Sequence, residues 1–135
     1  MTVQRANIGI IMRTGNLNNN FPEAFDYMPI PNSLAKANNL THIILERCNL
    51  YPRIPTNFGT LKNLVKLDLN NGFSSEYYGN YDLIPTELGN LQKLTYLDVS
   101  GNNYVFYTIP PALGNAKNLQ FYKSANSGLL GTLPD

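Results

Sequence analysis

The feature that most constrains this chain is that it can be laid on itself. Leu40, Ile43, Leu45, Cys48 and Leu50 share one spacing, and Leu64, Leu67, Leu69, Gly72 and Phe73 follow it with the last apolar residue one place early. Leu94, Leu97, Val99, Asn102 and Tyr104 continue the series, then Leu119, Tyr122, Ser124, Ser127 and Leu129, with a weaker first copy at Asn7, Ile10, Met12, Gly15 and Leu17. A second element recurs between these copies: Ile54-Pro55-Thr56-Asn57-Phe58-Gly59, Ile84-Pro85-Thr86-Glu87-Leu88-Gly89 and Ile109-Pro110-Pro111-Ala112-Leu113-Gly114. Ile30-Pro31 opens its earliest copy and Leu133-Pro134 its last. Self-similarity of this period marks a solenoid, in which each unit buries its apolar face only against its neighbours. The whole chain, 1–135, then reads as a single domain with units at about 7–39, 40–63, 64–93, 94–118 and a partial 119–135, and with insert loops at about 18–29, 74–83 and 104–108.

Within a unit, Leu67-Asp68-Leu69 alternates with period two, so the leucines fall on one face of a short strand and the residue between them on the other. One such strand cannot bury its face alone, so units are expected to stack in parallel around one core. Pro55, Pro85 and Pro110 lack a donor N–H and suit the turn out of the sheet. Gly59, Gly89 and Gly114 fall where a short helical turn should end, a place that favours left-handed backbone. Asparagine makes up about one residue in seven, which predicts turns or stacked side-chain ladders.

These residues resemble the plant-type leucine-rich-repeat family, whose units read roughly L-x-x-L-x-x-L-x-L-x-x-N-x-L-x-G-x-I-P-x-x-L-G-x. The resemblance runs over nearly the whole chain from about Asn7. It departs in keeping the ladder asparagine only at Asn102, in completing G-x-I/L-P only at Gly131-Thr132-Leu133-Pro134, and in lacking paired cysteines. The resemblance implies an α/β repeat: a right-handed leucine-rich-repeat solenoid, a curved horseshoe segment. Its short parallel strands lie on the concave face and its short helical or 3-10 turns on the convex side. It also implies a module that binds a protein or peptide.

If the leucines point inward, their neighbours form rows across the concave sheet. The first row is Gly9, His42, Lys66, Tyr96, Phe121, the middle row Ile11, Ile44, Asp68, Asp98, Lys123, and the third Arg13, Glu46, Asn70, Ser100, Ala125. From β-strand alternation, His42, Ile44, Glu46, Lys66, Asp68, Asn70, Tyr96, Asp98, Ser100, Phe121 and Lys123 are the candidate ligand contacts. The adjacent Asp68 and Asp98 are expected to invite a basic partner group. The insertions add a second candidate surface, the edge-loop residues Tyr77, Tyr78, Tyr81, Tyr104, Phe106 and Tyr107, whose aromatic and polar mixture suits recognition. Those same aromatics could instead seal the loops by packing on each other.

Composition excludes other classes. A net charge of +1 gives no field for nucleic acid, and the longest apolar runs, such as Ile8 to Met12, fall far short of a span that could insert in a membrane. One histidine, His42, and one cysteine, Cys48, do not make a catalytic constellation or a metal site, so no enzyme, cofactor or metal is expected. Cys48 occupies the ladder position and reads as a structural residue turned toward the loop backbone. No signal peptide is evident, which predicts a cytoplasmic protein if the chain is complete. It would be extracellular if it is part of a receptor-like protein that recognises an extracellular ligand, to which the sequon Asn39-Leu40-Thr41 adds slight weight. No polar cap is recognisable, so an end-to-end second copy or a larger parent chain is expected to cover the ends.

Overall fold

The computed structural model describes residues 8–13, 29–74 and 79–131. Strands β1 (Ile8–Arg13), β2 (Leu40–Glu46), β3 (Lys66–Asp68), β5 (Tyr96–Asp98) and β7 (Phe121–Lys123) form one sheet in the order β1-β2-β3-β5-β7. All neighbours in it are parallel. Two rows pair straight across it: Gly9, His42, Lys66, Tyr96 and Phe121, and Ile11, Ile44, Asp68, Asp98 and Lys123. These are the first two rows expected from the alternation. Between them, Ile43, Leu67 and Leu97 point inward and are completely buried, as are Leu69 and Val99 at the next inward position.

The opposite wall of the core is a stack of 3-10 helices at Asn32–Lys36, Thr56–Thr60, Thr86–Asn90 and Pro111–Asn115. Pro31, Pro55, Pro85 and Pro110 precede them in extended conformation. Each proline has no N–H to lose, and its carbonyl takes the N–H of the residue three places on: Leu34 at 3.1 Å, Phe58 at 3.0 Å, Leu88 at 3.1 Å and Leu113 at 2.9 Å. That bond turns Phe58, Leu88 and Leu113 into the core.

The glycines of these helices serve a different purpose from the one expected. None of Gly59, Gly89 or Gly114 has positive φ. A Cβ on Gly59 would lie 2.7 Å from the Glu87 carbonyl oxygen, and one on Gly89 would lie 2.1 Å from that of Ala112. At Gly59 and Gly89 glycine is required because the next helix stacks against it, whereas a Cβ on Gly114 would meet nothing within 4 Å. Left-handed backbone occurs instead two residues after the last inward strand position, at Arg47 (φ 55°), Asn71 (φ 51°), Gly101 (φ 76°) and Asn126 (φ 49°). Asparagine tolerates that conformation better than other side-chain-bearing residues, which accounts for part of its abundance.

Other asparagines stitch units together. The side-chain amide of Asn57 donates to the Asn32 carbonyl at 2.9 Å, that of Asn63 to Asn38 at 3.0 Å, and that of Asn118 to Gln92 at 2.5 Å. Asn102, buried in the core, donates to the carbonyls of Leu69 and Val99 at 3.1 and 2.8 Å and accepts the N–H of Phe73 at 3.1 Å.

Two of the expected insert loops contribute strands. β4 (Gly79–Asn80), β6 (Val105–Tyr107) and β8 (Gly128–Leu129) build a second parallel sheet in the order β4-β6-β8. The insertion at 18–28, the tyrosines Tyr77 and Tyr78, and Thr132 to Asp135 lie outside the described residues.

Candidate functional site

Parallel pairing brings the outward side chains of β3, β5 and β7 into one connected set centred on Tyr96. Its hydroxyl donates to Asp98 Oδ2 at 2.9 Å, fixing the ring along its own strand. Lys66 Nζ lies 4.4 Å from the ring centroid and Lys123 Nζ 5.0 Å from it. Because β5 runs between β3 and β7, the two ammoniums approach from its two flanks. Each cation–π contact of this kind contributes about 0.5–1 kcal/mol at an exposed site. Hydrogen bonding to the Tyr96 side chain, reinforced by its charge, raises the Lys123 pKa above the ordinary lysine value. The Phe121 ring, 54% exposed, sits with its centroid 6.3 Å from that of Tyr96.

The two aspartates are engaged within their own units, Asp98 buried and Asp68 half-buried. Asp68 Oδ1 accepts the N–H of Asn70 at 3.2 Å and its Oδ2 pairs with Lys66 at 3.2 Å. Asp98 Oδ1 accepts the N–H of Ser100 at 2.9 Å while its Oδ2 holds Tyr96, leaving the residue 4% exposed. Each carboxylate therefore ties the end of its strand to the turn that follows, a local Asx bond in both units. Of the two residues expected to invite a basic partner group, Asp98 is covered and Asp68 keeps a partly exposed side chain.

The remaining candidates divide. His42, Glu46, Asn70 and Ser100 are half-buried on the concave row, His42 Nδ1 lying 2.9 Å from Thr41 Oγ1. Ile44, between β1 and β3, is only 8% exposed, too covered to be a main contact. Along the smaller sheet Tyr104 is 48% exposed, and Phe106 and Tyr81 are half-buried. Tyr81 meets Tyr51 edge to face at 6.0 Å.

Tyr107 is a core residue and not a contact surface. The strand alternation of β6 turns it inward with Val105, leaving it 2% exposed. Its hydroxyl lies 3.2 Å from that of Tyr122 and 3.0 Å from that of Ser127. Burial, then the hydrogen bond shared with Tyr107, pushes the Tyr122 phenol far above its usual range. This hydroxyl network was not anticipated, although its signal was visible: Tyr122 and Ser127 stand where the preceding unit has Leu97 and Asn102. Cys48 is half-buried, its Sγ directed at the Glu46 carbonyl at 3.4 Å. Among the described residues no group of three or more His, Cys, Asp or Glu could hold a metal ion, and no helix is long and apolar enough to cross a membrane.

Residues 93–116, which carry β5, β6 and the last 3-10 helix, match the sequence model of the Leucine Rich Repeat. The fold is that of a leucine-rich-repeat solenoid, and the chain is similar to plant receptors built on it. No curated protein sequence matches the chain. Among solved structures, the solenoid is similar to the ectodomain of the plant membrane receptor kinase GASSHO1/SCHENGEN3 from Arabidopsis thaliana in complex with CASPARIAN STRIP INTEGRITY FACTOR 2. The TM-score is 0.65 and the identity 31%, over 80% of this chain and 12% of that one. It is also similar to the plant peptide hormone receptor RGFR1 in complex with RGF2, with TM-score 0.62 and 29% identity over 80% of this chain and 16% of that one. A plant ice-binding protein matches at TM-score 0.62 and 27% identity, over 80% of this chain and 33% of that one. The solenoid thus spans about an eighth to a third of the length of these structures.

Proposed function

We propose that this solenoid is a non-catalytic protein- or peptide-binding module that engages its ligand on the concave sheet, with the aromatic edge of the smaller sheet as an additional contact. The observation that carries this reading is the connected set around Tyr96. Its members are held by one another before any ligand arrives, and Phe121 stands exposed beside them. A preformed aromatic and charged surface loses little conformational freedom on binding, which is where affinity is otherwise forfeited. Two of the similar structures are receptors solved with a bound partner, which supports a ligand-binding role on this frame.

Those neighbours also favour a second reading, that the solenoid is one segment of a receptor-like ectodomain recognising an extracellular ligand, since it spans only 12–16% of their length. Protease accessibility of a tagged protein on intact cells tests that reading. Complete protection from added protease would remove it.

The binding reading is tested by affinity capture with three immobilised forms: the intact domain, a concave variant (Tyr96→Ser with Phe121→Ser) and an edge variant (Tyr81→Ser with Tyr104→Ser). Circular dichroism checks that each is folded. Loss of partners from the concave variant is expected, with a smaller loss from the edge variant. Equal recovery by all three would overturn the proposal.

A further inference from the structure

We propose that the cluster of Lys66, Tyr96, Lys123 and Phe121 recognises an acidic side chain that lies two residues from an apolar one on an extended peptide. This inference rests on the reading of the concave sheet as the ligand surface and names the chemistry that surface selects.

The argument is an accounting of hydrogen-bonding capacity. An ionised carboxylate only accepts, and both carboxylates of the cluster are engaged: Asp68 by Lys66 and the Asn70 N–H, Asp98 by the Tyr96 hydroxyl and the Ser100 N–H. Asp98 is in addition covered. An ammonium carries three donors and no acceptor, so Lys66 retains donor capacity after its bond to Asp68. Lys123 is exposed, lies with Nζ 5.0 Å from the Tyr96 ring centroid, and feels the Asp98 and Asp68 carboxylates without an ion pair to either. The exposed charge of the cluster is therefore mainly cationic. A basic ligand group would meet two ammoniums, one covered carboxylate and one already paired with Lys66, whereas an acidic one adds acceptors to both lysines.

Phe121 supplies the second half of the specificity. It is paired with Tyr96 across β5 and β7 and presents most of its ring face to solvent, an apolar surface one strand away from the lysine pair. Neighbouring strands lie about 4.8 Å apart, and residues i and i+2 of an extended peptide, on the same side of it, lie about 6.6 Å apart. An extended segment crossing the strands can thus set an acidic residue over Tyr96 and an apolar residue on or just beyond Phe121.

The test is an NMR titration of the 15N-labelled protein with two blocked probes, acetyl-Ser-Asp-Ser-Leu-Ser-amide and the same peptide with lysine in place of aspartate. The acidic probe is expected to shift the amides of Lys66, Tyr96, Phe121 and Lys123, and the lysine probe to leave them in place. Lys123→Glu, a change at an exposed position, is expected to weaken the acidic probe by about tenfold. Phe121→Ser is expected to weaken it without restoring binding of the lysine probe. Equal binding of the two probes at these residues, or no shift there with either, overturns the inference. A concave variant that retains every captured partner instead overturns the functional reading beneath it, so the two failures are distinguishable.

Discussion

The two sheets of this solenoid obey one rule, a short parallel strand from successive repeats, yet they are held by different things. In the concave sheet the inward positions are apolar and completely buried from unit to unit, Ile43 beside Leu67 beside Leu97. In the smaller sheet the strands are two or three residues long, glycine takes two of the positions, and burial is concentrated in Val105 and Tyr107. The first sheet is set by a period that every unit repeats. The second aligns the short segments Gly79–Asn80 and Val105–Tyr107 with Gly128–Leu129. The outward surface follows the same division: the long register generates an ordered array of side chains, whereas the segments of the smaller sheet add aromatics around it.

The largest effect should come from removing a repeated leucine. Leu97→Ala is expected to lower the unfolding free energy by about 2–5 kcal/mol in chemical denaturation, because the cavity lies between units that cannot collapse independently. Val105→Ala, the matching deletion in the smaller sheet, removes two methylene-sized groups and is expected to cost about 1.6 kcal/mol. A larger loss for Val105 than for Leu97 would reverse the comparison.

Asn102 joins the two regions, since it ties Leu69 and Val99 of the concave side to Phe73, where the chain leaves toward the smaller sheet. Asn102→Ala strands a buried N–H and buried carbonyls and should cost about 1–3 kcal/mol. Thermal unfolding of the variant provides the check, an unchanged midpoint arguing against the ladder role.

The glycines sharpen the same contrast on the convex side. Gly89→Ala forces a Cβ toward the Ala112 carbonyl and should destabilise by about 1–3 kcal/mol. At Gly114 no atom lies within 4 Å of the added Cβ, so Gly114→Ala should stay within about 0.5 kcal/mol. Similar melting shifts for both would mean that backbone conformation, and not close approach, selects glycine here.

A further effect is expected from pH. The Tyr122 phenol is raised in the folded state, chiefly by burial, whereas in the unfolded chain it ionises near its ordinary value of about 10. The folded state therefore holds the proton longer. Its contribution is intact below about pH 10 and is lost as pH rises beyond it. Tyr122→Phe should flatten the alkaline decline measured by denaturation between neutral pH and about pH 11, and an unchanged decline would exclude this residue as its source.

Much of the concave sheet was legible because period-two alternation leaves no freedom: once Leu67 and Leu97 are inward, Lys66, Tyr96 and Asp98 must be outward. What the alternation could not convey was which outward groups remain available. Asp68 and Asp98 look like open charges in sequence, but an aspartate three residues before a left-handed position is equally a local acceptor for the N–H two residues on, and here both are used so. Tyr107 failed as a contact for a related reason. Three residues, Val105-Phe106-Tyr107, are too few for a strand period to be distinguished from an aromatic loop, so its inward orientation emerges only from pairing with β4 and β8. The glycines were placed correctly but explained wrongly, because close approach to Glu87 or Ala112 depends on residues about one repeat away.

Native-state hydrogen exchange tests the central claim most directly, that stability and surface order reside in the repeated sheet. The amides of Leu69, Val99 and Asn71, bonded to Asp98, Lys123 and Ser100, are predicted to exchange only through global unfolding. Those of Gly79, Tyr81 and Leu130 in the smaller sheet should exchange through cheaper local openings. Protection that is equal in the two sheets, or greater in the smaller one, would contradict it.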